Sequence, residues 1–290
     1  MAAEFLELET QIGRRFREDS VTDIIIASLL KIGGGDATVF TPPEVKTGGD
    51  FDIVIYQPGT DDGVQYRIQS KRLVLNATNW VWSSYRELDH PHGSGKQAST
   101  LIRSSAQEKM PTIPLYAFYN PLGVCDASKG EIAGIQLADG RAIGAIVRAL
   151  LKAKAEGKRP RWKRVEYLRH FFFPLSTILC PPADESSSGY LIIRPEVSRQ
   201  AVLTAIEERR IAPMDIEDAP PRLRSELAEV ARLPSPHQMD GAVGSPPVSR
   251  RSQKRRDVPK VVERAIGRQP DEPAIQRARI KRPKLVLLSR

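Results

Sequence analysis

Two short stretches carry the residue types from which phosphate chemistry can be built: TGGD at residues 47–50 and QSKR at residues 69–72. The first opens the strand-like run FDIVIYQ, and the second lies within VQYRIQSKRLVL, with PGTDDG between them as a hairpin loop. Residues two apart on a strand share one side of a sheet. Asp50 and Asp52 therefore face one way, with Phe51, Ile53 and Ile55 opposite. On the next strand Arg67, Gln69 and Lys71 share a side against Tyr66, Ile68 and Ser70. In the simplest hairpin register an acid, an amide and an amine meet near one end. Carboxylate and amide oxygens are hard ligands suited to a divalent cation beside a phosphate, and a lysine there can hold or activate a water. Asp52 reads as a structural residue at the start of the strand rather than a ligand.

Those side chains need a scaffold, and the surrounding pattern is α/β. Ile12, Phe16, Ile24, Ile25 and Leu29 recur at helical spacing from about Leu6 to Leu30, as one helix or as one with a break, until the glycines of KIGGGD stop it. ATVFTPP reads as a short strand closed by two prolines. The hairpin is followed by a helix over about Gly95–Glu108, the strand IPLYAFYN, the helix GRAIGAIVRALLKAKAEG and the strand YLIIRP. No internal repeat is present, which sets a solenoid aside. The expected body is residues 1–213, and residues 214–290 read as a Pro-rich, basic, largely disordered tail.

Charge supports that division. From Gly241 to Arg290 there are fourteen Lys or Arg against four Asp or Glu, so the net charge of +9 belongs to the tail and residues 1–240 carry −1. No aromatic residue follows Tyr190, and a segment so poor in apolar surface cannot offset its ordering entropy. Such a tail fits nucleic acid through counterion release, or a scaffold partner, or serves only solubility. The acidic N-terminal stretch MAAEFLELET lacks a signal peptide's basic start, no apolar run is long enough to span a bilayer, and two cysteines make no disulfide framework. The expected setting is the cytoplasm, with no membrane partner; either a monomer or a dimer is compatible with the sequence.

The order of these motifs resembles the PD-(D/E)xK, or restriction-endonuclease-like, nuclease superfamily, in its Mrr-like branch where glutamine replaces the second acid. It is similar also to uncharacterised bacterial proteins in which TGxD, QxKR, a Gly- and Gln-led helix and a strand ending in YN follow in turn. Here these are TGGD, QSKR, GSGKQASTLI at 93–102 and PLYAFYN at 114–120. The resemblance spans roughly residues 10–180. It implies a mixed sheet of about four or five strands flanked by helices, and Mg²⁺-dependent endonuclease action on DNA, with Mn²⁺ and RNA as alternatives, in defence against foreign DNA. It further implies Asp50 as metal ligand, Gln69 in place of the second acid, the Ser70 carbonyl as a further ligand and Lys71 as the catalytic lysine. Glu18 would supply the helical acid, ahead of Asp23 and Glu44. By residue type rather than by resemblance, Arg72 reads as a phosphate contact or a plain surface cation, and the exposed N–H groups of the helix start at Lys96 and Gln97 could meet a nucleic-acid phosphate. Because an amide brings no charge, a non-catalytic nucleic-acid-binding module is the alternative expectation.

Other features carry less. HGSGKQAS lacks the spacing of a phosphate-binding P-loop. His90 and His92 have no further ligand at zinc spacing, and Cys125 and Cys180 have no histidine beside them. Trp80, Trp82 and Tyr85 could stack bases or pack inward. GKRPRWKRVEYLRH is the one basic stretch inside the body.

Overall fold

The computed structural model describes residues 2–12, 18–32, 37–76, 78–89, 96–180, 193–211 and 221–232, all within the unit Met1–Ala242. In chain order they form α1 (Ala2–Ile12), α2 (Glu18–Ile32), β1 (Ala37–Phe40), α3 (Glu44–Thr47), β2 (Phe51–Tyr56), β3 (Gly63–Arg72), α4 (Lys96–Ala106) and β4 (Thr112–Tyr119). Then come α5 (Leu122–Ala127), β5 (Ile135–Asp139), α6 (Gly140–Ala155), α7 (Val165–Leu168), β6 (Phe173–Pro174), α8 (Ser176–Leu179), α9 (Pro195–Ile211) and α10 (Pro221–Arg232).

The strands make one six-stranded mixed sheet in sequence order, antiparallel except where β3 meets β4 in parallel. The α/β class and the flanking helices are as the sequence pattern predicts, but the sheet has six strands where about four or five were expected. The additional pairing comes from β5 and β6. IQLAD is only five residues long, and Asp139 at its end already caps α6 by accepting the Arg141 N–H at 3.1 Å. No turn residues separate strand from helix, so periodicity alone merges them.

Strand alternation sends side chains to two apolar layers. On one face Tyr116 and Phe118 pack with Leu101 of α4 and Ile143, Ile146 and Leu150 of α6. On the other, Phe51, Ile53, Ile68 and Leu115 pack with Val21 and Ile25 of α2 and Val202 and Ile206 of α9. A sheet buried on both faces explains why β2 and β3 are almost wholly buried, polar residues included.

Three expectations differ in extent from the structure. The N-terminal helix expected over about Leu6–Leu30, with a break allowed, is α1 and α2, which start at Ala2 and end at Ile32, with residues 13–17 outside the described ones. Of YLIIRP, residues 190–192 lie outside the described residues, Ile193 and Arg194 are in no strand, and Pro195 opens α9, as its locked φ suits a first helical turn. Beyond the boundary expected at Pro213, α10 packs on α6 and buries Leu227 in the first apolar layer. The remainder of the expected tail lies outside the described residues.

Candidate functional site

The site is built on the β2–β3 hairpin. Phe51 pairs with Ile68, and the Asp50 N–H donates to the Ile68 carbonyl at 2.8 Å, which extends the ladder by one residue and sets Asp50 opposite Gln69. Asp50 Oδ2 accepts from Gln69 Nε2 at 2.8 Å and from the Ser70 N–H at 2.7 Å. Two residues on, Lys71 Nζ donates to Glu18 Oε1 at 3.1 Å, and the Arg72 N–H donates to Glu18 Oε2 at 3.1 Å. Asp50, Gln69, Lys71 and Glu18, distant in sequence, thus form one continuous cluster where the N-terminus of α2 meets the end of β3.

The glycines of TGGD make the approach possible. Gly48 lies in the left-handed region at φ +72°, and a Cβ there would meet the Gln97 carbonyl oxygen and the Leu101 nitrogen, both at 2.6 Å. A Cβ on Gly49 would meet Cγ of Arg67 at 2.8 Å. The backbone of α4 therefore rests directly on the turn, and Ser104 Oγ fastens it by donating to the Thr47 carbonyl at 2.7 Å. Gly48→Ala combines strained φ with a backbone clash, so it should destabilise the fold by about 3 kcal/mol or more, read as a lowered denaturant midpoint. A midpoint equal to that of the wild type would contradict the close packing of α4 on the turn.

Burial dominates the electrostatics. It raises the Glu18 carboxyl to about 7 against the opposing pull of Lys71, with Asp50 adding to the rise. Burial also raises Asp50, offset in part by Lys71 and the Ser70 N–H. Because the folded Glu18 holds its proton above the pH at which the unfolded one releases it, stability falls as pH rises from about 4.5 to about 7. In a chelating buffer, raising the pH from 5.5 to 7.5 should cost the wild type on the order of 2 kcal/mol through Glu18. Glu18→Gln should lose that part of the dependence. Thermal unfolding of both proteins at the two pH values gives the comparison, and identical pH dependence in the two would contradict it.

The remaining sequence candidates lie beside the cluster or away from it. Asp23 is exposed on α2. Glu44, on α3, accepts from Gln97 Nε2 at 2.6 Å, so Gln97 braces α4 against α3 and its amide is engaged there. Arg72 is half-buried beside the cluster; Lys96 opens α4. Residues 90–95, with His90 and His92, lie outside the described residues. Tyr85 is fully buried, its hydroxyl donating to Asn120 Oδ1 at 2.6 Å, and Asn120 Nδ2 donates to the Ala133 carbonyl at 3.0 Å. The YN motif is thus a buried clamp.

Three further groups belong to the site's support. Tyr116 sits opposite Gln69 in the β3–β4 register and is buried; parallel pairing of the two strands would have located it. On the other face of β3, the hydroxyls of Thr22, Ser70 and Tyr119 lie within 3.3 Å of one another and tie α2 to the sheet four residues from Glu18. Asp52 is held by Arg67 through Nε at 3.1 Å and Nη2 at 3.0 Å and by Gln65 Nε2 at 2.5 Å, the structural role read from the sequence. Arg67 also reaches Glu108 at 2.8 Å and Ser104 Oγ at 3.1 Å.

The donor set suits a hard cation. Gln69 is 1% exposed, yet its Oε1 has no hydrogen-bond partner among the described residues, and a buried amide oxygen left bare is costly unless something accepts its lone pairs. The Ser70 carbonyl lies beside it, 3.4 Å from Gln69 Nε2. Among the described residues no group of three or more His, Cys, Asp or Glu is placed to hold a metal. The ligands on offer are Asp50 and neutral oxygens, which favours Mg²⁺ or Mn²⁺ over zinc.

A family model matches residues 1–290. The chain belongs to DUF6615, a family of unknown function. No curated protein and no solved structure matches this DUF6615 chain. Among its described residues no helix is long and apolar enough to cross a membrane.

Proposed function

We propose that the protein is a metal-dependent nuclease that hydrolyses phosphodiester bonds of DNA. The observation that carries this reading is the meeting of Asp50, Gln69, Lys71 and Glu18, with Gln69 Oε1 buried and unpartnered among the described residues. Asp50 and Gln69 would hold the cation, with the Ser70 carbonyl beside them. When bound, a divalent cation supplies Lewis-acid polarisation of the phosphate. Lys71 Nζ supplies a cationic donor that can orient a water or meet the charge developing on the phosphate oxygens. Glu18 grips Lys71 by one oxygen and the Arg72 N–H by the other, so its part is to fix where Nζ points.

The test is cleavage of supercoiled plasmid and of single-stranded DNA by the purified full chain with Mg²⁺, with Mn²⁺ and with a chelator. Cutting with either cation and none in chelator is the expected result. A second reading draws on the same geometry. Both Glu18 oxygens are engaged by protein donors, and no three-acid group is present among the described residues, as suits a module that binds nucleic acid without cutting it. Binding without cleavage under either cation would establish that reading in place of the first.

A further inference from the structure

The stretch Lys152–Arg164 carries seven Lys or Arg against one Glu. Four of the seven are paired: Lys154 and Lys163 with the buried Asp89, Lys158 with Glu156 at 3.1 Å, and Arg164 with Glu166 at 4.0 Å. Lys152, Arg159 and Arg161 are exposed and make no ion pair with a described residue. Three cations left without a carboxylate, in a body whose net charge is close to zero, are a local surplus.

Backbone pairing brings this stretch to the site. Val74, three residues beyond Lys71, bridges Ser84, and Ser84 bridges Arg164. The Tyr85 N–H donates to the Lys163 carbonyl at 3.0 Å and the Val165 N–H to the Ser83 carbonyl at 2.9 Å. Strand rise and spacing put Arg164 about 14 Å from Lys71. Beside the same bridge, the turn Trp80–Trp82 packs against α7 and leaves Trp82 44% exposed. Trp80 is half-buried and Tyr85 fully buried, so one indole of that aromatic group is presented to solvent.

Phosphates are recognised by cations, and unpaired bases by an aromatic face; their combination is the chemistry of single-strand binding. A lone indole is too little apolar surface to favour an anionic membrane. We propose that Arg159, Arg161 and Trp82 form a surface that holds a single-stranded stretch of nucleic acid and leads it toward Lys71. The link to cleavage rests on the nuclease reading, whereas the binding does not.

Binding of a labelled single-stranded oligonucleotide, its duplex and phosphatidylserine vesicles to the full chain in chelator tests the surface, with cleavage measured in parallel. Arg159→Glu/Arg161→Glu should weaken single-strand binding by about tenfold or more and flatten the dependence of log K on log salt by about 1.4. Trp82→Ala should cost about tenfold on the single strand and little on the duplex. Lys109→Glu, exposed at the opposite end of the parallel strands, should change neither. Arg159→Gln/Arg161→Gln, with half the charge change, serves should the reversal variant fail to fold. Unaltered single-strand affinity and salt slope in folded variants would overturn the surface, as would loss of vesicle binding alone. Wild-type binding through these residues without any cleavage would remove the nuclease reading and leave the surface standing.

Discussion

Lys71→Ala is expected to lower cation-dependent cleavage by about 10³-fold or more while leaving nucleic-acid affinity nearly unchanged. Lys71 Nζ is a cationic donor held in the cluster by Glu18, and its side chain is 5% exposed, so solvent does not replace it readily. The fold should tolerate its loss. Once Lys71 is absent, the remaining influences on Glu18 are dominated by burial, and its carboxyl takes up a proton instead of standing as a buried lone charge. Glu18 Oε2 still accepts the Arg72 N–H in that state. A modest fall in thermal stability with cleavage abolished would separate a chemical role from a structural one. Cleavage within a few-fold of wild type would detach the activity from this cluster.

The largest effect on stability should come from Arg67. Its guanidinium and Asp52 are 3% and 5% exposed, and the same group ties down Glu108 and Ser104. Arg67→Met removes two bonds to Asp52 and leaves a buried carboxylate with the Gln65 amide as its remaining side-chain donor among the described residues. Breaking such a pair from one side costs about 3–5 kcal/mol, roughly 10 °C in Tm for a body of this size. Replacing both partners, Arg67→Met/Asp52→Leu, should recover most of that loss, because no unpaired charge remains. Denaturant midpoints of the wild type, the single and the double variant decide it. A single variant as stable as the wild type would mean that the pair contributes nothing net. Because Arg67 Cγ lies 2.8 Å from where a Cβ on Gly49 would sit, the pair also helps set the turn that delivers Asp50.

The hairpin and the convergence of its polar residues were legible because strand alternation is a strict period of two. Asp50, Gln69 and Lys71 could be placed on one side from residue spacing alone, and the register agrees. Glu18 required more, since no local pattern says which turn of α2 meets β3; its choice over Asp23 and Glu44 came from family resemblance. Tyr116 stayed out of reach because its place beside Gln69 depends on β3 and β4 running parallel, a fact of topology rather than of spacing. Gln97 shows a related ambiguity. A glutamine at a helix start is compatible with a phosphate or with a neighbouring acid, and here Glu44 takes it. Helix α10 was missed because proline-rich flanks and the absence of aromatics mask a short apolar stripe that packs on α6.

The hydroxyl triangle behind the site has a proton count that does not match its contacts. Thr22, Ser70 and Tyr119 supply three O–H protons, whereas the three mutual contacts and the approach of Thr22 Oγ1 to the Glu18 carbonyl at 3.1 Å make four places to put them. At any instant one contact goes without a proton, and which one can rotate around the ring by turning hydroxyls about their C–O bonds. The anchor of α2 is therefore degenerate: several proton arrangements of similar energy hold the same heavy-atom positions. Degeneracy confers tolerance, since deleting the Tyr119 hydroxyl leaves two protons for the two contacts that survive, with no donor stranded.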